Sequence, residues 1–221
     1  SWHESVQKEF DKVFPYSIKK PLDNTYGMLL WSKNKLHSSE IRYLVEDGIP
    51  SFATTVELSS GAKFCLFTVH PQPPRFMLNT EPREAELLIV AKQAKKAPYP
   101  AVVAGDLNDV AWSKTTKLFK QISGLIDPRV GRGFFNTYNA HVPVFRYPLD
   151  HVFYDPAFRL INLRRLSKFG SDHFPILISL NYEPKHEEEQ EHPRADREEK
   201  QEANELIQEG LEKGEERNHE K

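Results

Sequence analysis

The chain has 221 residues, 38% hydrophobic and 28% charged, with a formal net charge of −2, the profile of a soluble globular protein long enough for one sizeable core. No apolar run approaches the ~18 residues of a membrane span, and a single cysteine, Cys65 in the apolar run KFCLFTV, excludes an intramolecular disulfide. The charge is uneven: from Pro184 onward, 13 Glu and one Asp face seven Lys and Arg, which leaves residues 1–183 with a net charge of +5. A mildly basic body tolerates an anionic substrate such as a phosphate ester. The sequence carries no signal peptide and no initiating Met, and its start at SWHESV suggests that upstream residues have been removed.

In chain order, YGMLLWS (26–32), FATTVEL (52–58) and KFCLFTV (63–69) are predicted strands, with Gly61 marking a hairpin turn between the last two. Residues 81–97 are predicted helical, with Thr80 as cap and Pro82 in the first turn. Leu87, Leu88, Ala91 and Ala94 form its apolar face, and Lys92, Lys95 and Lys96 face water. AVVAGD (101–106) is a short buried strand. Ser113 caps a helix over 113–122 that turns Leu118, Phe119 and Ile122 inward. LDHVFYD (149–155), FRLINLRRL (158–166) and FPILISLNY (174–182) are the closing strands. Alternating strands and helices with hairpins imply a layered α/β sandwich. Residues 1–183 are read as that domain. Residues 184–221 are read as a Glu-rich, low-complexity tail, disordered or helical, with a solvated helix over 198–213 whose apolar stripe is Leu206, Ile207 and Leu211. A partner-binding helix is the alternative reading of that stripe.

Four stretches can carry chemistry. In AVVAGDLND an apolar strand runs into Asp106 and Asn108, two apart and therefore on one face, while Leu107 points into the core. A carboxylate beside an amide can hold a cation's water shell, orient an attacking water and donate a hydrogen bond to phosphate. In PLDHVFYD, Asp150 opens an apolar strand and needs a partner. A carboxylate can hold an imidazole in one tautomer. Strand alternation sends His151 to the opposite face, so it is read as structural. His70 ends a strand before a Pro-rich loop. In FGSDHFPILISL, the adjacent Asp172 and His173 diverge, so Asp172 can face a metal and His173 a reacting phosphate, backed by Asp150.

Taken in order, this His, then GD-x-N, LDH and SDH-x-P, resembles the endonuclease/exonuclease/phosphatase superfamily of DNase I-like nucleases and phosphatases over roughly residues 26 to 182. The stretches GLIDPRVGRGFFNTYNA and FRYPLDHVFYDPAFRLINLRRLSKFGSDHFPI look most like bacterial YafD-like members, many of which carry membrane-spanning segments ahead of the catalytic domain. The resemblance implies a DNase I-like α/β sandwich and a Mg²⁺- or Mn²⁺-dependent phosphoester hydrolase, either a nuclease or phosphodiesterase or a phosphatase. Asp106 would activate the attacking water. Asn108 would orient it and stabilise the transition state. Asp172, with Asp106, would bind the metal. His173 would act as base or stabiliser, held by Asp150, and His70 and Asn108 would contact the scissile phosphate. The family's first strands, one ending in Asn and one in the metal-binding Glu, have no counterpart here, since Glu4, Glu9 and Glu40 lack a preceding apolar strand. An N-terminally truncated domain is therefore expected, one with little activity of its own.

A catalytically inactive binding module on the same fold, with the acidic tail as its interaction element, is the competing reading. No G-x-S-x-G, H-E-x-x-H or paired-Cys spacing supports another hydrolase. The expected partner is a phosphate ester, with nucleic acid among the classes, and the chain is expected to be a monomer. The compartment is not indicated, although a full-length parent could be anchored to a bacterial membrane. Arg132 is taken as a candidate substrate contact, and Arg75, Arg129 and Arg146 as weaker ones. Phe76, Phe134, Phe135 and Tyr138 can stack on bases but are assigned to the core.

Overall fold

The structure, a computed structural model, describes residues 2–73 and 80–219. Its centre is a five-stranded sheet in the order β3 (Lys35–Arg42), β4 (Ser51–Glu57), β5 (Lys63–Val69), β6 (Ala101–Asp106), β7 (Asp150–Tyr154). All neighbours are antiparallel except β5 and β6, which are parallel. A parallel pair needs a crossover, and helix α2 (Glu81–Lys95) supplies it. The short apolar runs KFCLFTV and AVVAGD are β5 and β6 residue for residue.

Alternation along these strands feeds two cores. One face presents Phe67, Val69, Val103 and Phe153 to α2 and to α3 (Lys114–Ser123), which return Leu87, Leu88, Leu118 and Phe119. The other presents Leu66, Val102, Val152 and Tyr154 to the antiparallel pair β8 (Phe158–Arg165) and β9 (Ile176–Tyr182). Ser113 caps α3 as expected, its side chain accepting from the Thr116 amide. Thr80 does not cap α2: it is itself helical, and its hydroxyl donates to Glu84. Helix α1 (Trp2–Phe10) and strand β1 (Tyr16–Lys20), which pairs antiparallel with β2 (Met28–Ser32), complete the described N-terminal part. The five-stranded sheet, with helices on one face and the β8–β9 pair on the other, makes the layered α/β sandwich that was expected.

The C-terminal segment departs from a solvated appendage. After a 3-10 turn over Pro184–Glu189, helix α4 (Arg197–His219) lies against α2 and α3. Ala203 is fully buried, and Leu206 and Ile207 reach the core beneath. Two glycines allow the approach. A Cβ on Gly210 would lie 2.3 Å from the Ala85 Cβ, and one on Gly214 would lie 2.6 Å from Val45 Cγ1. Polar contacts line the seam, including Lys92 with Asn204, Lys114 with Glu202 and Arg217 with Glu46. Lys92 thus meets α4 while staying partly exposed.

Candidate active site

Strand pairing brings the candidate residues to one edge of the sheet. The parallel pair aligns Val69 with Gly105, so His70 and Asp106 leave their strands side by side. The antiparallel pair aligns Asp106 with Asp150. Gly105 makes this possible, because a Cβ there would lie 1.9 Å from the Val69 carbonyl oxygen. The segment before β9 is tied to the same edge. Phe174 N–H donates to the Thr137 carbonyl at 2.8 Å, and Ala140 N–H to the Asp172 carbonyl at 2.7 Å.

The result is a cleft of about 920 Å³ lined by His70, Asp106, Asn108, Asp150, Asp172 and His173, among others. The Asp150 carboxylate lies 2.7 Å from His173 Nδ1. That contact turns Nε2 towards Asp106, whose Oδ2 is 3.6 Å away. From the other side, His70 Nε2 lies 3.8 Å from the same oxygen. Asp106 therefore sits between two imidazoles, and its Oδ1 accepts from the Asn108 amide at 2.8 Å. Burial, and then the Asp150 charge, push the Asp106 carboxyl up to about 6. Burial holds the His70 imidazole below its ordinary value. Burial pulls His173 the same way, but its hydrogen bond to Asp150 and the charges of Asp150, Asp106 and Asp172 outweigh it and raise the imidazole.

Buried Arg83, Asp109, His151 and Arg129 hold the loop after Asp106. Asn108 has φ +48°, uncommon for a residue with a side chain. Its side-chain amide donates to the Pro71 carbonyl at 2.9 Å, and its own carbonyl accepts from Arg83 Nη1 at 2.7 Å. Asp109, next in the chain, accepts from Ser113 and Thr116 hydroxyls. The Asp109 carbonyl lies 2.8 Å from His151 Nε2. His151 is on the opposite face from Asp150, as strand alternation requires, and is 1% exposed. Burial and then the Arg129 charge push it down to about 3, so the ring is neutral. It donates from Nε2 and accepts at Nδ1 from Arg129, which is 2.6 Å away and forms a two-pronged pair with Asp127.

This architecture coincides with a family match. The model of the Endonuclease/Exonuclease/phosphatase family matches residues 2–173. The chain belongs to that family. No curated protein sequence matches it. Among solved structures, a humanized Danio rerio TDP2 is similar in fold, with 19% identity and a TM-score of 0.67 over 81% of each chain. An endonuclease/exonuclease/phosphatase from Beutenbergia cavernae has 16% identity and a TM-score of 0.68, over 81% of this chain and 57% of that one. The human Nocturnin catalytic domain has 17% identity and a TM-score of 0.64, over 82% and 77%.

Within this family member, other sequence candidates fall elsewhere. Arg132 does not line the cleft; its guanidinium bonds the Pro128 and Val130 carbonyls. Arg129 is an interior ion-pair residue, and Arg146 lies over the Phe174 ring. Phe134, assigned to the core, is 65% exposed. Tyr138 lines the cleft, its ring 5.0 Å from that of His173. Arg75 and Phe76 lie outside the described residues. Sequence reasoning missed Arg83 and Asp109. Arg83 did leave a signal: it is four residues before Leu87, a cation on the stripe that faces the core.

Proposed function

We propose that the chain is a divalent-metal-dependent phosphoester hydrolase whose reacting phosphate lies in the cleft between His70 and His173. The observation that carries this is the convergence of both imidazoles on the Asp106 carboxylate, with Asp150 behind one of them. Asp150 fixes the His173 tautomer, so that Nδ1 carries its proton to the carboxylate and Nε2 serves the cleft. Asp106, with its carboxyl near 6, is placed to take a proton from an attacking water. Asn108 and His70 are assigned to the phosphate oxygens.

The donor set fits a cation. Ligand atoms of Asp106, Asp150 and His173 lie within 4.8 Å of one another. The mutual repulsion of Asp106 and Asp150 is what a bound cation would relieve. Within that group Asp106 and Asp150 would offer carboxylate oxygens to Mg²⁺ or Mn²⁺, with Asp172, which lies outside the group but lines the same cleft, as a further carboxylate, and the ion would polarise the phosphate and lower the pKa of a bound water. Among the described residues no glutamate lines the cleft, so we expect affinity in the millimolar range. That feature also keeps the inactive binding module as the second reading.

The proteins of similar fold bind related chemistry: one solved Danio rerio TDP2 holds a single-strand DNA product, and the human Nocturnin domain a sulfate. The substrate class is tested by assaying the chain, with and without chelator, against single- and double-stranded DNA, RNA, inositol phosphates and sphingomyelin. Chelator-sensitive hydrolysis of one class supports the reading, and none at any metal concentration favours the binding module.

A further inference from the structure

The loops beside the cleft carry large apolar side chains that the core does not use. Val144 is 83% exposed, Phe169 74%, Val130 68%, Phe134 65% and Phe145 63%. Scattered apolar residues are ordinary on a protein surface. These are grouped on two stretches that also concentrate charge. Residues 130–148 and 162–171 contain Arg132, Arg146, Arg164, Arg165 and Lys168, with no Asp or Glu, in a chain whose net charge is −2. Among the described residues no carboxylate pairs with these five cations. Arg132 and Arg165 bond only backbone carbonyls, and Arg146 and Arg165 lie over the ring of Phe174.

Arg165 joins the stretches into one surface. It lines a hollow with Arg132, Phe134 and Arg164, and a second hollow with His141, Pro143 and Lys168. The tip bearing Val144 and Phe145 is braced by the backbone pair Asn139 N–H to Phe145 carbonyl, at 3.3 Å. The same strap contributes Tyr138 and Tyr147 to the cleft.

We propose that this surface docks the protein on an anionic lipid bilayer. Val144, Phe145 and Phe169 would enter the interface, and Arg164, Arg165 and Lys168 would meet lipid phosphates. Three features select this partner. Valine tips gain from a hydrocarbon interface but cannot stack on bases, as a single-stranded nucleic acid track requires. Val144, Phe145 and Phe169 project from separate loops and line neither hollow. A second copy seated on this face by two-fold symmetry would oppose like charges. Polybasic surfaces next to apolar anchors bind anionic headgroups and release in salt. The cleft mouth would then lie beside the headgroup layer. The proposal stands apart from the catalytic reading.

The test is flotation of the whole chain with phosphatidylcholine vesicles, with and without phosphatidylglycerol. The expected result is binding only where phosphatidylglycerol is present, lost at about 0.5 M salt. Phe145→Ser with Phe169→Ser should weaken partition at least about tenfold, and Arg164→Gln with Lys168→Gln by about tenfold or more. All four side chains are exposed, so melting temperatures should match the wild type. Absence of flotation, equal binding to neutral vesicles, or unweakened binding by both double variants would overturn the proposal. So would oligonucleotide binding or self-association that the Phe variant abolishes while vesicles bind no protein.

Discussion

Replacing Asp106 by Asn is expected to stabilise the protein while removing its proposed chemistry. Asp106 is held between His70 and His173 and beside Asp150, and its carboxyl rises from 3.8 to about 6. At about 1.4 kcal/mol per unit, ionising it in the folded state costs at most about 3 kcal/mol at neutral pH. An amide keeps an oxygen for the Asn108 N–H but loses the attraction of His173, 3.6 Å away. We therefore expect a net gain of about 1–2 kcal/mol, or about 3–6 °C in melting temperature for a chain of this size. The sign fixes the pH dependence. A carboxyl whose folded value lies above its unfolded value destabilises the fold above the folded value. That penalty fades as pH falls from about 6 to about 4 and is gone below the unfolded value. Urea denaturation of both proteins in chelator, at pH 7 and pH 4, measures this. A variant less stable than wild type at pH 7, or a gain of equal size at pH 4, would refute the reasoning.

Three further outcomes follow from the packing. Gly210→Val forces a side chain against Ala85 and the Glu81 carbonyl, each 2.3 Å from the added Cβ, and should cost at least about 2 kcal/mol in denaturant titrations. Removing residues 197–221 uncovers Ala85 on α2 and takes Ala203, Leu206 and Ile207 from the core, and should lower the calorimetric melting temperature by several degrees; an unchanged value would restore the view of a solvated tail. Arg129→Ala leaves the buried Asp127 carboxylate alone and takes a donor from His151, so a loss of about 3–5 kcal/mol is expected, and a loss under about 1 kcal/mol would show that the pair is dispensable.

How much of this was legible in the sequence depended on burial. β5 and β6 were readable to the residue because strands covered on both faces are continuous apolar runs bounded by turn residues. β3 was not readable, since KLHSSEIR lies at the sheet edge, largely exposed, and alternates poorly. α2 was found but only half understood. Its second face, with Ala85, is covered by α4, and Glu86 is buried as well, which pushes that carboxyl up to about 8. In sequence a buried Glu looks like a solvated one, and the glycines and alanine that seat α4 look like low complexity. The cleft was legible because its residues sit at strand ends next to each other in the ladder. Arg83 showed only as a cation on the core-facing stripe of α2, with nothing to name its partner, the Asn108 carbonyl, and Asp109 acts through hydroxyls of the next helix and the His151 ring, which no local pattern encodes. Arg132 was misjudged because loop residues carry no periodicity to aim them.

The central claim is that the cleft hydrolyses a phosphoester with His173 as a participating group. The most direct measurement compares wild type and His173→Ala on bis(p-nitrophenyl) phosphate, titrated with Mg²⁺ or Mn²⁺ to about 20 mM, with a chelator control. The predicted result is slow, metal-dependent hydrolysis, in keeping with a weakly held ion, that falls at least about 10²-fold in the variant, with the fold intact. Hydrolysis that survives the chelator, or that is the same in both proteins, would contradict it.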